Sequence, residues 1–358
     1  MNGDSMARSD PNDAVHSTAG AETLSAIRDR LLASKLLQHL DLETAEKFAV
    51  AISPFGTFLR HSVPPVPIVF RGVDRADYGL VPSAFRPECP YRELCPRIHF
   101  GDDEAIASKQ QIQFELDVLR RFFRFADSQG LPLPEDSQEV RQILNSTTTQ
   151  ASYLDEVVSG EKLWPPSSLL SIMALAQHHG LPTRLLDWSR NPFKAAYFAA
   201  RKPAQQEVVT GGANLDSRIA VWAMSTDMIE VFSTIPKYKV DGPKHCPVSV
   251  ITCPGATNVN LRAQEGVFSL YQAKNVPNGP IVDRRPLEIQ VCEDMNLREG
   301  HDITMFRRFT LPCAEASKLL WILASFGVSA ASLFPDLRGA AMAVREENAW
   351  KRPRWDTR

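Results

Sequence analysis

The chain opens polar and turns apolar at helical spacing from Glu22 onward. Leu24, Ile27, Leu31, Leu32 and Leu36 recur every three or four residues, which predicts a first helix. A second is expected over Leu42 to Ile52, with Ala45, Phe48, Ala49 and Ile52 on one face. Pro64-Pro65-Val66-Pro67 forces an extended segment. Ile68-Val69-Phe70 then reads as a short buried strand ending at Arg71-Gly72. From Ala105 to Asp127 a wide apolar face that includes Phe114, Leu116, Val118, Leu119 and Phe122 predicts a long helix, and Ser137 to Leu144 a shorter one. Ser167 to His179 is helical in pattern; Gly180 supplies a left-handed cap and Pro182 blocks continuation. Asn191 before Pro192 reads as an N-cap with proline at the first helical position. The helix it opens, to Arg201, is rich in small residues that let its backbone approach a neighbour closely.

The second half shifts to alternation. Arg218 to Met224, Val248 to Thr252, Gly266 to Tyr271, Leu287 to Cys292 and Ile303 to Phe309 are expected as strands. A helix over Ala314 to Phe326 and a last one over Pro335 to Asn348 finish the chain. The apolar run Leu319 to Phe334 is shorter than the roughly 20 residues a membrane span needs. It reads as a buried helix followed by a turn and a short strand. Helices early and strands late predict an α+β fold: a central mixed or antiparallel sheet with helices packed around it and a helical N-terminal lead-in. The expected division is residues 1–20 disordered by composition, 21–63 the lead-in, 64–348 the main domain and 349–358 a polar tail.

Composition narrows this picture. With 358 residues the chain buries a sufficient core without disulfides or metals. A formal net charge of −2 gives no global nucleic-acid signal. None of the six cysteines forms a CxxC pair. His245-Cys246 with Cys253 is only a fragment of a zinc pattern, so no metal is expected and the thiols fit a reducing, cytoplasmic setting. The first twenty residues lack an apolar core of the signal-peptide type, and no membrane partner is expected. Glycine-rich nucleotide loops, HExxH and GxSxG are all missing.

Candidate chemistry is concentrated in four dense motifs. Arg71, at a strand end before Gly72, offers a two-pronged grip on phosphate or carboxylate; the competing reading is an ion pair to a carboxylate such as Asp187. Gln177 to Trp188 is the most specific block. His178 lies at a helix C-terminus, where the dipole favours its charged, donating form. Thr183, Arg184, Asp187 and Trp188 follow, with Ser189 just beyond. Arg184 and Asp187 either face a ligand or pair with each other. Asp187 and Trp188 are expected to be buried. Gln264-Glu265 precedes a strand with a glycine entry; Gln264 is the expected inward residue, and Glu265 is either a general base or a solvated loop carboxylate. Phe334-Pro335-Asp336 reads as a helix start. Arg71, His178, Thr183, Arg184 and Gln264 are expected to line one cleft, because each sits near the end of a regular element.

Phe70-Arg71-Gly72, the block Gln177 to Trp188, and Asn191-Pro192 with Ala196-Tyr197-Phe198-Ala199 together resemble the FRG domain family, named for its Phe-Arg-Gly motif. Gln264 to Phe268 and Leu333 to Leu337 are similar to its later motifs, and His179 stands where the family commonly has tyrosine. The likeness spans about Pro64 to Val344. It implies a bacterial or phage-associated protein and is compatible with a non-catalytic recognition module in a defence or stress system, binding a nucleotide, nucleic acid or protein. More remotely, an aromatic-Arg-Gly strand end is similar to the first motif of the arginine–serine–glutamate ADP-ribosyltransferases. That resemblance implies NAD as cofactor and a protein or nucleic-acid acceptor. Arg71 and Gly72 would then sit at the phosphates, with His178 and Arg184 near them. Thr183 or Ser189 would precede the alanine-rich helix, and Gln264 or Glu265 would act at the ribose.

Overall fold

The computed structural model describes residues 23–33, 36–56, 67–98, 104–145, 147–159, 161–210, 217–227, 248–255, 258–271, 284–294 and 304–350. The expectations for residues 1–20, Pro64 to Val66, His245-Cys246 and the tail beyond Trp350 lie outside them.

In chain order, α1 (Leu24–Ala33), β1 (Leu37–Asp41) and α2 (Ala45–Ile52) precede β2 (Ile68–Val73). A helical stretch follows: α3 (Tyr91–Leu94), α4 (Glu104–Ser128), α5 (Gln138–Asn145), α6 (Thr147–Val158) and α7 (Leu170–His178). Next come β3 (Leu186–Ser189) and α8 (Pro192–Thr210). The second half runs β4 (Arg218–Ser225), β5 (Val248–Ile251), α9 (Val259–Ala263), β6 (Gly266–Tyr271), α10 (Leu287–Asp294) and β7 (Phe306–Pro312). It closes with α11 (Ala316–Ser325), α12 (Ala330–Leu333) and α13 (Leu337–Trp350).

The strands form one seven-stranded mixed sheet in the order β1-β7-β4-β2-β3-β6-β5. Only β1 and β7 pair in parallel; the other neighbours are antiparallel. This is the α+β architecture that the pattern predicts. Alternation along the strands separates two cores. On one face Phe70, Val221 and Phe309 pack under α2, α8 and α11, with Phe48, Ile52, Leu319 and Leu323. On the other, Val69, Trp222 and Phe306 meet α1 and α10 through Ile27, Leu31 and Ile289. A third core joins α4 to α7 with Phe268 and Leu270 of β6. Burial of this much apolar side chain is the main favourable term in folding.

Four expectations are corrected. Leu37 to Asp41 form a strand that extends the sheet, so the lead-in is not purely helical. Leu287 to Asp294 is a helix, not a strand. Its alternating Leu287, Ile289 and Val291 mislead because Glu288 and Gln290 are buried as well, and a wholly buried segment shows no polar face. Glu288 is accommodated because its Oε2 accepts from Leu80 N at 3.0 Å. After α11 the chain turns at Gly327 (φ 76°) into the short helix α12 rather than a strand. Finally, α8 runs on through Pro203 to Thr210, past the expected end at Arg201. Among the described residues no helix is long and apolar enough to cross a membrane.

Candidate functional site

At the centre of the sheet β2 and β3 share a single register pair, Phe70 with Ser189. Beyond it the strands diverge, and the gap between Arg71-Gly72 and Asp187 is the mouth of a cleft. One lobe, of about 260 Å³, lies between the ends of α7 and β3, the α9–β6 junction, α8 and the end of α12. Its lining is largely aromatic and amide, with Phe198, Phe334, Gln177, His178 and Gln264. A second lobe, of about 380 Å³, opens on the other side of Arg71 and is lined by Arg86, Lys202, Tyr78 and Asp74. Arg71, Gly72, Phe198 and Arg201 belong to both.

The elements fix these side chains closely. The Asn191 side chain caps α8, its Oδ1 accepting from Phe193 N at 3.0 Å, as the Asn-Pro pair predicts. Phe198 and Arg201, one turn apart on α8, then face the cleft together. Phe334 meets Phe198 edge-on, with ring centroids 6.1 Å apart, and the Arg201 guanidinium lies 5.9 Å from the Phe334 centroid. Gly72 is required by the helix behind it. A Cβ there would lie 1.9 Å from Ala195 O, so α8 presses directly on β2. The absence of a side chain at Gly72 permits this helix–strand contact, and the residue lines both lobes.

Arg71 reaches across the gap to β3. Its Nη1 pairs with Asp187 Oδ1 at 2.5 Å and donates to Asp187 O at 2.7 Å. Asp187 is not buried, contrary to expectation: 60% of its side chain is exposed, against 11% for Arg71. Its partner is Arg71 rather than Arg184, and Gln177 Nε2 donates to the same Oδ1 at 2.9 Å. Protein crowding raises the Asp187 pKa, but the charge and hydrogen bond of Arg71, with Arg86 nearby, outweigh it and hold the carboxyl below its usual range. Trp188 is buried, and its Nε1 donates to Ser269 Oγ at 2.8 Å.

His178 also departs from the helix-dipole argument. Burial, then the neighbouring His179, lowers its pKa, so the ring is held neutral. With Asn260 Nδ2 2.6 Å from Nε2, the amide donates and Nε2 accepts, which leaves the Nδ1 hydrogen as the remaining donor. Gln264 lines the aromatic lobe, with Nε2 3.4 Å from Leu333 O. Ser189 lines it too, but its hydroxyl donates to Gln264 O at 2.7 Å and accepts from Asn191 N at 3.0 Å, which commits it to holding the α9–β6 turn.

Three expected residues do not line the cleft. Thr183 is buried; its hydroxyl donates to Gln177 Oε1 at 2.5 Å and thereby sets the amide that faces Asp187. Arg184 is buried against Glu115, donating through Nε at 2.6 Å and Nη2 at 3.0 Å, and lies over Phe85 and Trp164. Glu265 has a left-handed backbone (φ 51°) and pairs with Lys194 at 2.8 Å outside the cleft. That contact, more than offsetting desolvation, keeps its pKa low. Sequence reasoning missed Arg86, Arg201 and Lys202, and it held Gln177, Phe198 and Phe334 only as members of motifs, without a place in the site. The spacing of Phe198 and Arg201 on an otherwise alanine-rich helix was the available signal. Among the described residues no group of three His, Cys, Asp or Glu could hold a metal.

Compared with known protein families, residues 66–208 match the FRG domain. This stretch spans β2, β3 and α8, and with them Arg71, Gln177, His178, Asp187 and Arg201. No curated protein and no solved structure matches the chain.

Proposed function

We propose that the chain, which carries an FRG domain at residues 66–208, uses its cleft to recognise NAD or a related phosphate-bearing nucleotide and does not transfer it. The supporting observation is the placing of Arg71. It stands at the neck between a lobe walled by Phe198, Phe334, Gln177 and Gln264 and a lobe lined by Arg86 and Lys202. Aromatic faces and amides suit a nucleobase or nicotinamide, and guanidinium groups suit phosphate. Because β2 and α8 hold Arg71 and Arg201 in place, little ordering is needed on binding.

The transfer reading requires a carboxylate at the ribose to stabilise developing positive charge. Glu265, the candidate for that task, is tied to Lys194 outside the cleft. Asp187 is the carboxylate lining the aromatic lobe, and Arg71 already neutralises it. Recognition without transfer is therefore the better-supported reading, and the bacterial and phage association of the family fits a defence or stress setting. Titration calorimetry of the full chain with NAD and ADP-ribose, beside a chromatographic assay for nicotinamide, tests it. Binding without nicotinamide release is expected, with Arg71→Ala weakening binding about tenfold or more, as for loss of a charge-assisted contact. Absence of binding to either ligand refutes recognition. Nicotinamide release that Asp187→Asn abolishes establishes transfer instead.

A further inference from the structure

The basic lobe is larger than a single anchoring phosphate requires. Arg71, Arg86, Arg201 and Lys202 line it, against one carboxylate, Asp74. Asp74 is taken by Lys202 at 2.6 Å. Arg71 is partly neutralised by Asp187 on the side of the aromatic lobe. Arg86 Nε donates to Val81 O at 2.9 Å, which fixes the guanidinium without neutralising it. Among the described residues Arg201 forms no ion pair; its contact is with the Phe334 ring. Among the described residues neither Arg86 nor Arg201 has a carboxylate at ion-pair distance, although Glu346 lies within the field of Arg201, and both line one space. Burial, then the like charge of Arg71, lowers the pKa of Arg86, with Asp187, Glu88 and Asp74 acting the other way. Each lobe alone lies near the lower end of the range of about 300–1,000 Å³ for small-molecule sites, and the two are adjacent, sharing Arg71, Gly72, Phe198 and Arg201 in their linings.

Resting on the nucleotide-recognition reading, we infer that the ligand is a nucleoside carrying at least two consecutive phosphates. Its ring lies against Phe198 and Phe334. The first phosphate lies at the neck, on Arg71 and Arg201, and the next extends into the basic lobe toward Arg86 and Lys202. A monophosphate leaves that lobe unused, whereas a pyrophosphate fills it and gains charge-assisted hydrogen bonds.

The experiment is a calorimetric comparison of AMP, ADP and ADP-ribose on the full chain at fixed, low salt, with wild type, Arg86→Ala and Lys202→Gln. ADP is expected to bind about tenfold more tightly than AMP, with ADP-ribose close to ADP. Arg86→Ala should bring ADP down to the affinity of AMP while changing AMP itself less than about twofold. The Lys202 side chain is 63% exposed, so Lys202→Gln tests the same lobe without risk to the fold. It should narrow the gap in the same direction. Equal affinity for AMP and ADP in the wild type, or equal weakening of both by the variants, overturns the inference while nucleotide recognition stands. If none of these ligands nor NAD binds, recognition fails and the inference with it.

Discussion

Arg184→Met separates a ligand-binding arginine from a structural one. Arg184 and Glu115 are 9% and 1% exposed at their side chains. The Glu115 carboxylate accepts four hydrogen bonds: Arg184 through Nε at 2.6 Å and Nη2 at 3.0 Å, Trp164 Nε1 at 2.8 Å and Gln111 Nε2 at 2.8 Å. Methionine keeps much of the packing over Phe85 and Trp164 but removes two of the four donors and, among the described residues, the opposing charge in contact. Breaking a buried pair on one side costs about 3–5 kcal/mol, out of a total of about 5–15 kcal/mol for a typical folded protein. Urea unfolding of wild type and variant reads this loss as a lower midpoint at unchanged slope. If the stranded charge is the cause, adding Glu115→Gln to Arg184→Met should recover about 1–3 kcal/mol. The amide keeps an acceptor for Trp164 and discards the charge. ADP affinity, measured well below the transition, should stay within about twofold of wild type. A variant within about 1 kcal/mol of wild type, or one that folds normally and loses ADP binding, refutes the structural assignment.

Two further outcomes follow from the geometry. Gly72→Ala sets a methyl against the Ala195 carbonyl and the Ala199 N, both backbone atoms, so the strain is not relieved by a rotamer change. It should cost about 1–3 kcal/mol or more in urea unfolding, and an unchanged midpoint would show that α8 is free to shift. The lowered pKa of His178 gives a signed pH dependence. The unfolded chain takes up a proton near the ordinary value of 6.5 while the folded ring does not. Stability is therefore full above 6.5 and falls as pH drops through 6.5 toward the lowered folded value. His39 is shifted the same way, so His178→Gln should flatten the slope below pH 6.5 in part, not wholly. An unaltered slope would place the His178 ring in water.

Where an element buries one face and shows the other to solvent, its pattern reads directly. α2 and α4 are found close to where their spacing puts them, and β4, though buried on both faces, is marked by its β-branched and aromatic run. The capping signals at Gly180 and Asn191 also hold, because those residues act on backbone within one turn. Sequence reading fails at α10, where the buried polar Glu288 and Gln290 give a helix the alternation of a strand, and where an element is too short for a period, as at β3. The candidate site divides the same way. His178 and Gln264 sit at the ends of α7 and α9, whereas Arg71 lies within β2, which runs on to Val73, and the three meet in the cleft. Arg184 and Glu265 sit equally well in the sequence, but their partners, Glu115 and Lys194, are set by α4 and α8 rather than by neighbours in the chain. Arg86 and Lys202 of the basic lobe have no motif of their own; Arg86 is in a loop and Lys202 on α8, and only the folded chain brings them together beside the end of β2.

The strand order also bears on what can fold by itself. Of the seven strands, residues 66–208 supply only β2 and β3, which share one register pair. β2 gains its main ladder from β4, and β3 from β6, both supplied by later sequence. The opposite edge is closed by β1, from before the matched stretch, lying along β7 from near the end. A fragment cut to the family boundaries would thus bare the β4-facing edge of β2 and the β6-facing edge of β3 and strip α8 of α11. Such edges invite pairing between chains. The recognisable signature in this protein is therefore smaller than its smallest stable unit. Expressed alone, residues 66–208 should collect in the insoluble fraction, whereas a chain from about residue 23 to residue 350 retains the whole sheet.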